Sequence, residues 1–357
     1  MSGPGAESPI PRHGDAGVHP IRRTGASELT FQPAGGTASE PRLPRARGPR
    51  VSVLIGALRR REFLPLAVES VLRQTLPRAS YQVVVVKDFP GNGFDDRLRR
   101  EGVTVVHRES ESMGALMQAG VEACEGEVVS FLDDDDTFDP EKLRRVRDAF
   151  AGEPDLGYYH NGLALIDERG AAIGSPRPAP GDRAYVLSAN WGFCTSCISI
   201  RRDLLVPVLE RWPEVPRSVD SFLDFVSRAS SCLRLATMEP LTRYRLHPGS
   251  NSRRTNHASS YYSTARILRS LPRNRSRNGA ITALLGRYMS AALRGRSHDR
   301  RSALEALAWL AAGCVLNELR PDAREVLCGA VMVVSPTLSQ RLYSAMRHGN
   351  VDWLPPA

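Results

Sequence analysis

No apolar run in this chain is long enough to cross a bilayer: the longest, Ala306 to Leu316, falls well short of the roughly 18 to 20 residues a membrane helix needs. An integral membrane helix is therefore excluded, and the amino terminus lacks the apolar segment of a secretory signal. Cysteine is sparse, with six among 357 residues (Cys124, Cys194, Cys197, Cys232, Cys314 and Cys328). Scattered thiols do not make a disulfide scaffold, so a reducing cytoplasm is expected. Only Cys194 and Cys197 form a CxxC, and neither a second pair nor a nearby histidine completes a zinc site. That stretch reads as a half-buried strand. Positive charge is in excess, at +9, but the arginines are spread along the chain and no segment alternates basic with aromatic residues. A nucleic-acid partner is therefore not expected. Nucleotide motifs of the glycine-rich kind are missing too: Gly91-x-Gly93 is followed by Asp96 where a third glycine would stand, and no Walker lysine occurs.

What the chain does have is an orderly alternation. Residues 1–48, rich in Pro, Gly, Ser and Arg, show no period and read as a disordered leader. Val51 to Ile55 is a β-branched run suited to a strand covered on both faces. Between Glu62 and Gln74 the pairs Phe63/Leu64, Ala67/Val68 and Val71/Leu72 recur every four residues, one stripe of a helix, with Pro65 in its first turn. Strands are expected at Gln82 to Val86, Val103 to Val106 and Val128 to Leu132, with a helix over Met113 to Cys124. Asp139-Pro140-Glu141 opens a further helix to Phe150, with Asp139 as its cap. This pattern predicts an α/β layer with a mainly parallel sheet, in which ligands gather at the carboxyl ends of strands. Beyond residue 155 shorter strands follow (Leu156 to Ile166, Phe193 to Ile200), with a loop at Pro176 to Gly181. From about Thr255 the chain reads as helical: Tyr261 to Leu271, Ala280 to Leu293, Arg301 to Leu319 and Asp322 to Val334.

At the end of the fourth strand stand four consecutive carboxylates, Asp133 to Asp136. Adjacent like charges repel, so either water solvates them or a cation holds them. An EF-hand started at Asp133 would need Gly and Glu where Phe138 and Arg144 stand. A haloacid-dehalogenase-like phosphatase would use Asp133-x-Asp135-x-Thr137, but three strands precede this one and no downstream Gly-Asp-x-x-x-Asp appears. A solvated loop beside a helix start is the plain alternative. A divalent cation carrying a nucleotide diphosphate fits best, because Mg²⁺ and Mn²⁺ take a few carboxylates and share their other positions with phosphate oxygens.

The stretch resembles the Asp-x-Asp region of family-2 glycosyltransferases, and its surroundings fall in the same order. Val51 to Ile55 is similar to the family's opening strand, Glu69-Ser70-Val71-Leu72-Arg73-Gln74-Thr75 to its "ESVLxQT" helix, and Val83 to Asp88 to the strand ending in a base-binding aspartate. Glu125 to Leu132 before the aspartates and Asp139 to Leu143 after them resemble the family as well. So does Tyr244-Arg245-Leu246-His247-Pro248-Gly249-Ser250-Asn251-Ser252, like the closing "YRxHxxSxS" segment. The resemblance covers about residues 50 to 253. It implies a GT-A nucleotide-diphospho-sugar transferase fold, an α/β architecture with a mainly parallel central sheet. It also implies an inverting, metal-dependent transfer of a sugar from a nucleotide-diphosphate donor to an acceptor hydroxyl.

By position, the resemblance makes Asp88 the partner of a uracil- or thymine-like base and sets Asp134 against the ribose. Asp135 would bind Mn²⁺ or Mg²⁺, with Asp133 and Asp136 as supporting carboxylates beside donor and metal. His247 would be a further metal or phosphate contact, and Arg245 a cation for the donor. Asp220, at a helix entrance, would be the general base, with Asp224 one turn later as the fallback. Trp191, with Asn190 and Gly192, falls in the region that lines the acceptor side in similar enzymes. The chain departs from the family at Gly56-Ala57-Leu58-Arg59, at Lys87 in place of an aspartate, and at Leu116-Met117-Gln118. Arg59, Arg60, Lys87 or Arg245 would then supply the charge for the phosphates.

The expected organisation is a leader (1–48), a catalytic domain (49–253) and a helical carboxyl-terminal domain (254–357), in a cytoplasmic enzyme whose acceptor is a glycan, lipid-linked sugar, peptide or small metabolite. The basic tail leaves room for peripheral contact with the inner face of the cell membrane. A catalytically silent module that binds sugar nucleotides is the alternative from another class.

Overall fold

The computed structural model describes residues 19–20, 50–91, 93–174, 194–230, 232–237, 239–249, 258–295, 304–305 and 307–308. The rest of the leader, the loop at 176–181, Trp191 with its neighbours, Ser250 to Ser252 and most of the chain beyond 295 lie outside the described residues.

Among the described residues twelve strands form two sheets. They are β1 (His19–Pro20), β2 (Val51–Ala57), β3 (Tyr81–Lys87), β4 (Thr104–His107), β5 (Val128–Asp133), β6 (Thr137–Phe138), β7 (Leu156–His160), β8 (Leu163–Ile166), β9 (Ala172–Gly174), β10 (Ile198–Arg201), β11 (Leu233–Ala236) and β12 (Thr242–Arg245). The larger sheet has the order β1-β11-β7-β10-β5-β2-β3-β4, and the smaller one runs β6-β12-β8-β9. Its centre is parallel: β2 pairs in parallel with both β5 and β3, and β3 with β4. The expected α/β architecture is the observed one.

Seven helices accompany the sheets among the described residues: α1 (Leu64–Leu72), α2 (Gly93–Arg100), α3 (Met113–Glu122), α4 (Lys142–Gly152), α5 (Val219–Ala229), α6 (Ala258–Leu268) and α7 (Arg275–Gly295). Alternation along β2 divides them. Val53 and Ile55 pack with α1 and α4 through Val68, Val71, Leu143 and Val146. Leu54 points the other way, into a cluster with Leu116 and Val121 of α3, Phe222 and Phe225 of α5, and Trp212. A period of two in a strand buried on both faces requires this split. Ile267 and Leu268 of α6 and Ile281, Leu284 and Leu285 of α7 join the second cluster. These two helices therefore share the apolar core of the sheet's α3/α5 face.

Three local expectations change. The run Leu156 to Ile166 is two strands in different sheets, broken at Asn161-Gly162, where buried Asn161 donates to Thr242 Oγ1 at 2.9 Å. Asp139 caps no helix; its Oδ1 accepts from Glu141 N–H at 3.1 Å, and α4 starts at Lys142. The CxxC is a 3₁₀ turn (Thr195–Cys197) leading into β10, with both cysteines fully enclosed. Helix α2 is additional: its sequence, Gly93-Phe94-Asp95-Asp96-Arg97-Leu98-Arg99-Arg100, offers one core apolar residue, Leu98.

Candidate active site

Strand register gathers the candidate residues at one edge of the large sheet. Gly56 of β2 lies opposite Asp133 of β5, and Ala57 opposite Lys87 of β3. The segments leaving these strands therefore emerge side by side: Leu58 to Glu62 after β2, Asp88 after β3 and Asp134 to Asp136 after β5. This is the carboxyl end of three adjacent parallel strands, where such sheets bind ligands.

Within the acidic loop, oxygens of Asp133, Asp135 and Asp136 lie within 4.8 Å of one another. Two neighbours fix their backbone. Ser196, inside the CxxC turn, accepts from Asp133 N–H at 3.0 Å and donates through Oγ to Asp136 Oδ2 at 2.6 Å. Arg245 N–H donates to Asp136 Oδ1 at 2.9 Å. Asp134 turns aside to an ion pair with Arg60. Arg60 also donates to Asp135 Oδ2 at 2.5 Å, and His247 Nε2 lies 3.0 Å from the same oxygen.

The electrostatics follow from crowding in a dry place. Burial, then the Asp135 and Asp134 charges, push Asp133 well above the usual carboxylate range. Burial and then Asp135 raise Asp134 to about 7, against the pull of Arg60. Asp136 is raised by burial, then by Asp135 and Asp133, although Ser196 and Arg245 N–H favour its anion. Three converging, largely enclosed carboxylates that resist sharing negative charge match the hard-oxygen donor set of Mg²⁺ or Mn²⁺. The residues present fit such an ion.

Around this centre the expected residues separate. Asp88, at the end of β3, accepts from Arg59 N–H at 2.8 Å. Arg59 has φ of 60°, a left-handed conformation that a residue with a side chain seldom adopts. Ser218, two residues before Asp220, is the other such non-glycine residue among the described ones, with φ of 59°. Backbone strain of this kind concentrates at functional sites. Asp220 lies in the first turn of α5, partly open, and its charge contributes to the upward push on Asp133. His247 is seated against the Phe63 ring, 5.1 Å between centroids, one hydrogen bond behind Asp135 and not among the grouped carboxylates.

Three expectations need correction. Asp224, the fallback base, is 1% exposed, with one oxygen on Arg228 Nε at 2.7 Å and the other on Arg234. An acceptor hydroxyl has no approach to it. The Arg245 guanidinium is buried and donates to the carbonyls of Asp135 (2.8 Å), Asp167 (3.0 Å) and Glu168 (2.9 Å). It ties the acidic loop to the turn after β8 and does not serve a donor. Lys87 is fully buried, with Nζ 2.8 Å from Asp95 Oδ1 and donating to Phe89 O at 2.8 Å, so it braces the loop after Asp88.

Sequence reading missed Ser196 and Lys142. Lys142 Nζ is enclosed beneath the loop, donating to Ser196 O and to Thr242 Oγ1 at 3.1 Å, and burial pushes its pKa down to about 8. The one signal for Ser196 was its place between two cysteines, which draws the eye to metal or redox chemistry.

Comparison with known proteins agrees with this geometry. Residues 52–206 match the model of Glycosyl transferase family 2. An uncharacterized glycosyltransferase of Nostoc sp. is 26% identical over 217 residues, 57% of this chain and 66% of that protein. The putative teichuronic acid biosynthesis glycosyltransferase TuaG of Bacillus subtilis is 28% identical over 143 residues, 38% of this chain and 56% of its own length. The chain thus spans two thirds or less of these relatives. Among solved structures, residues 1–349 of S. aureus TarS in complex with UDP-GlcNAc superpose with a TM-score of 0.57 at 12% identity, over 85% of this chain and 93% of that one. That likeness carries the GT-A fold, and the sequence match to Glycosyl transferase family 2 covers residues 52–206, the part of the chain that holds the acidic loop.

Proposed function

We propose that this protein transfers a glycosyl group from a UDP-sugar to an acceptor hydroxyl with inversion, assisted by Mn²⁺ or Mg²⁺. The convergence of Asp133, Asp135 and Asp136 at the carboxyl end of β5, inside the matched family segment, carries the reading. The UDP-GlcNAc bound by TarS favours a uridine nucleotide. Asp88 would accept from the uracil N–H, and Asp134 would face the ribose.

Asp133, Asp135 and Asp136 would hold a divalent ion, which when bound would supply positive charge to offset that of the departing diphosphate. Asp220 takes the acceptor proton while the acceptor oxygen forms its bond to the anomeric carbon. The bond from that carbon to the phosphate oxygen breaks, and its electron pair leaves with UDP. We place the enzyme in the cytoplasm, consistent with its scattered thiols. No helix among the described residues is long and apolar enough to cross a membrane.

The test is release of UDP from a panel of UDP-sugars, with Mn²⁺ or chelator, by the wild type and Asp135→Ala. Release that needs the metal and fails in the variant supports the reading. Nucleotide binding with no turnover on any donor or acceptor would instead mark a silent binding module.

A further inference from the structure

Four cations were candidates to meet the donor phosphates, and the structure separates them. Arg59 reaches Glu111 at 2.8 Å, Lys87 is buried on Asp95, and Arg245 holds carbonyls. Arg60 has its guanidinium on acidic-loop carboxylates, pairing with both Asp134 and Asp135 and lying 3.2 Å from His247 Nε2. Asp135 is one of the three carboxylates that fit a divalent ion. The guanidinium and such an ion therefore contend for the same carboxylate.

The segment that presents Arg60 is set by the donor side of the site. The left-handed turn at Arg59 is held by its N–H on Asp88, the carboxylate assigned to the base. Arg60 itself follows β2 at the sheet edge, between the Asp88 and Asp133 segments. A planar guanidinium displaced from two carboxylates finds an equivalent partner in a diphosphate, whose oxygens match its paired N–H groups.

We propose that Arg60 is an exchangeable counter-ion of the acidic loop: a divalent cation takes its place on Asp135, and the released guanidinium binds the diphosphate of the donor. This deepens the nucleotide-sugar reading above and rests on it. Linkage follows directly. Metal alone must displace Arg60 without giving it a new partner, whereas metal and nucleotide together satisfy both charges. Each then strengthens the other's binding by the same factor.

Calorimetry on the full chain tests this, titrating Mn²⁺ alone and then UDP at saturating Mn²⁺. The wild type is compared with Arg60→Gln, Arg60→Lys and Arg61→Gln. Arg61 has the same charge one residue on, but its guanidinium stacks over Phe89 at 4.8 Å. For Arg60→Gln, Mn²⁺ alone should bind about 5- to 10-fold more tightly and UDP with Mn²⁺ about 10-fold or more weakly, the scale of a charged hydrogen bond. Arg61→Gln should move neither. Arg60→Lys, which keeps the charge and loses the paired donors, should weaken UDP and serves if the glutamine variant does not fold.

Unchanged or weaker Mn²⁺ binding in a folded Arg60→Gln overturns the exchange, as does unchanged UDP affinity. Equal effects in Arg61→Gln would reduce it to general charge and overturn it as well. A wild type that takes up neither Mn²⁺ nor UDP fails the nucleotide-sugar reading itself, an outcome visible before any variant is compared.

Discussion

Asp220 and Asp224 stand one helical turn apart in opposite surroundings, and the proposed function gives a proton-accepting role to the first alone. Asp220 is partly open beside the acidic loop, whereas Asp224 is locked between Arg228 and Arg234. Their amide variants should therefore fail differently. Asp220→Asn keeps shape and removes the proton acceptor, so transfer should fall by about 10² to 10⁴. UDP binding, measured by calorimetry with Mn²⁺, should stay the same. Asp224→Asn leaves two guanidinium groups with half a partner, and urea unfolding should show a loss of about 3 to 5 kcal/mol. Equal stability with lost turnover in Asp224→Asn would reverse the two assignments.

Among elements, legibility followed burial on both faces. Strands β2, β3 and β5 were plain because continuous Val, Leu and Ile runs have few other uses, and α1 because its paired stripe meets β2. Helix α2 was not, since Leu98 is its one fully buried apolar residue, Phe94 packs only partly against the core, and five of its eight residues are charged. The acidic loop could be found by local pattern, and Asp88 and Asp220 were singled out by the family resemblance; Ser196, Lys142 and the partner of Arg60 could be reached by neither. Those residues meet the loop because β10 lies on one side of β5 and β2, with the segment that follows it, on the other. Ser196 shows what this costs a linear reading. Its hydroxyl bonds both Asp133 N–H and Asp136, so Ser196→Ala strips two contacts from the loop at once. We expect about 1 to 3 kcal/mol of lost stability. Mn²⁺ affinity should fall while the nucleotide's own spectrum of accepted sugars stays unchanged. Calorimetry with Mn²⁺ checks the first, and an unaltered affinity would mean that the loop holds its form without Ser196.

For the whole molecule, the same core that joins α5, α6 and α7 to the sheet sets how the protein answers acid. His160 ends β7, its ring 6.4 Å from that of Tyr158, a member of this core, and burial lowers its pKa from 6.5 to about 4 despite the opposing influence of Asp224. Between those two values the unfolded chain carries a proton at this position and the folded chain does not. Stability from this residue is thus fully present above pH 6.5 and is lost as the pH falls toward 4. The raised carboxylates Asp133 and Asp136 act with the opposite sign, because folding favours their protonated forms and acid relieves their crowding. The measured slope is the sum, so the contribution of His160 shows only by difference. Unfolding free energies of wild type and His160→Gln, each followed by urea across pH 4 to 6.5, should diverge in slope, with the wild type losing stability faster on acidification. Parallel curves would show that His160 takes up its proton without opening the core, and the acid response would then belong to the carboxylates alone.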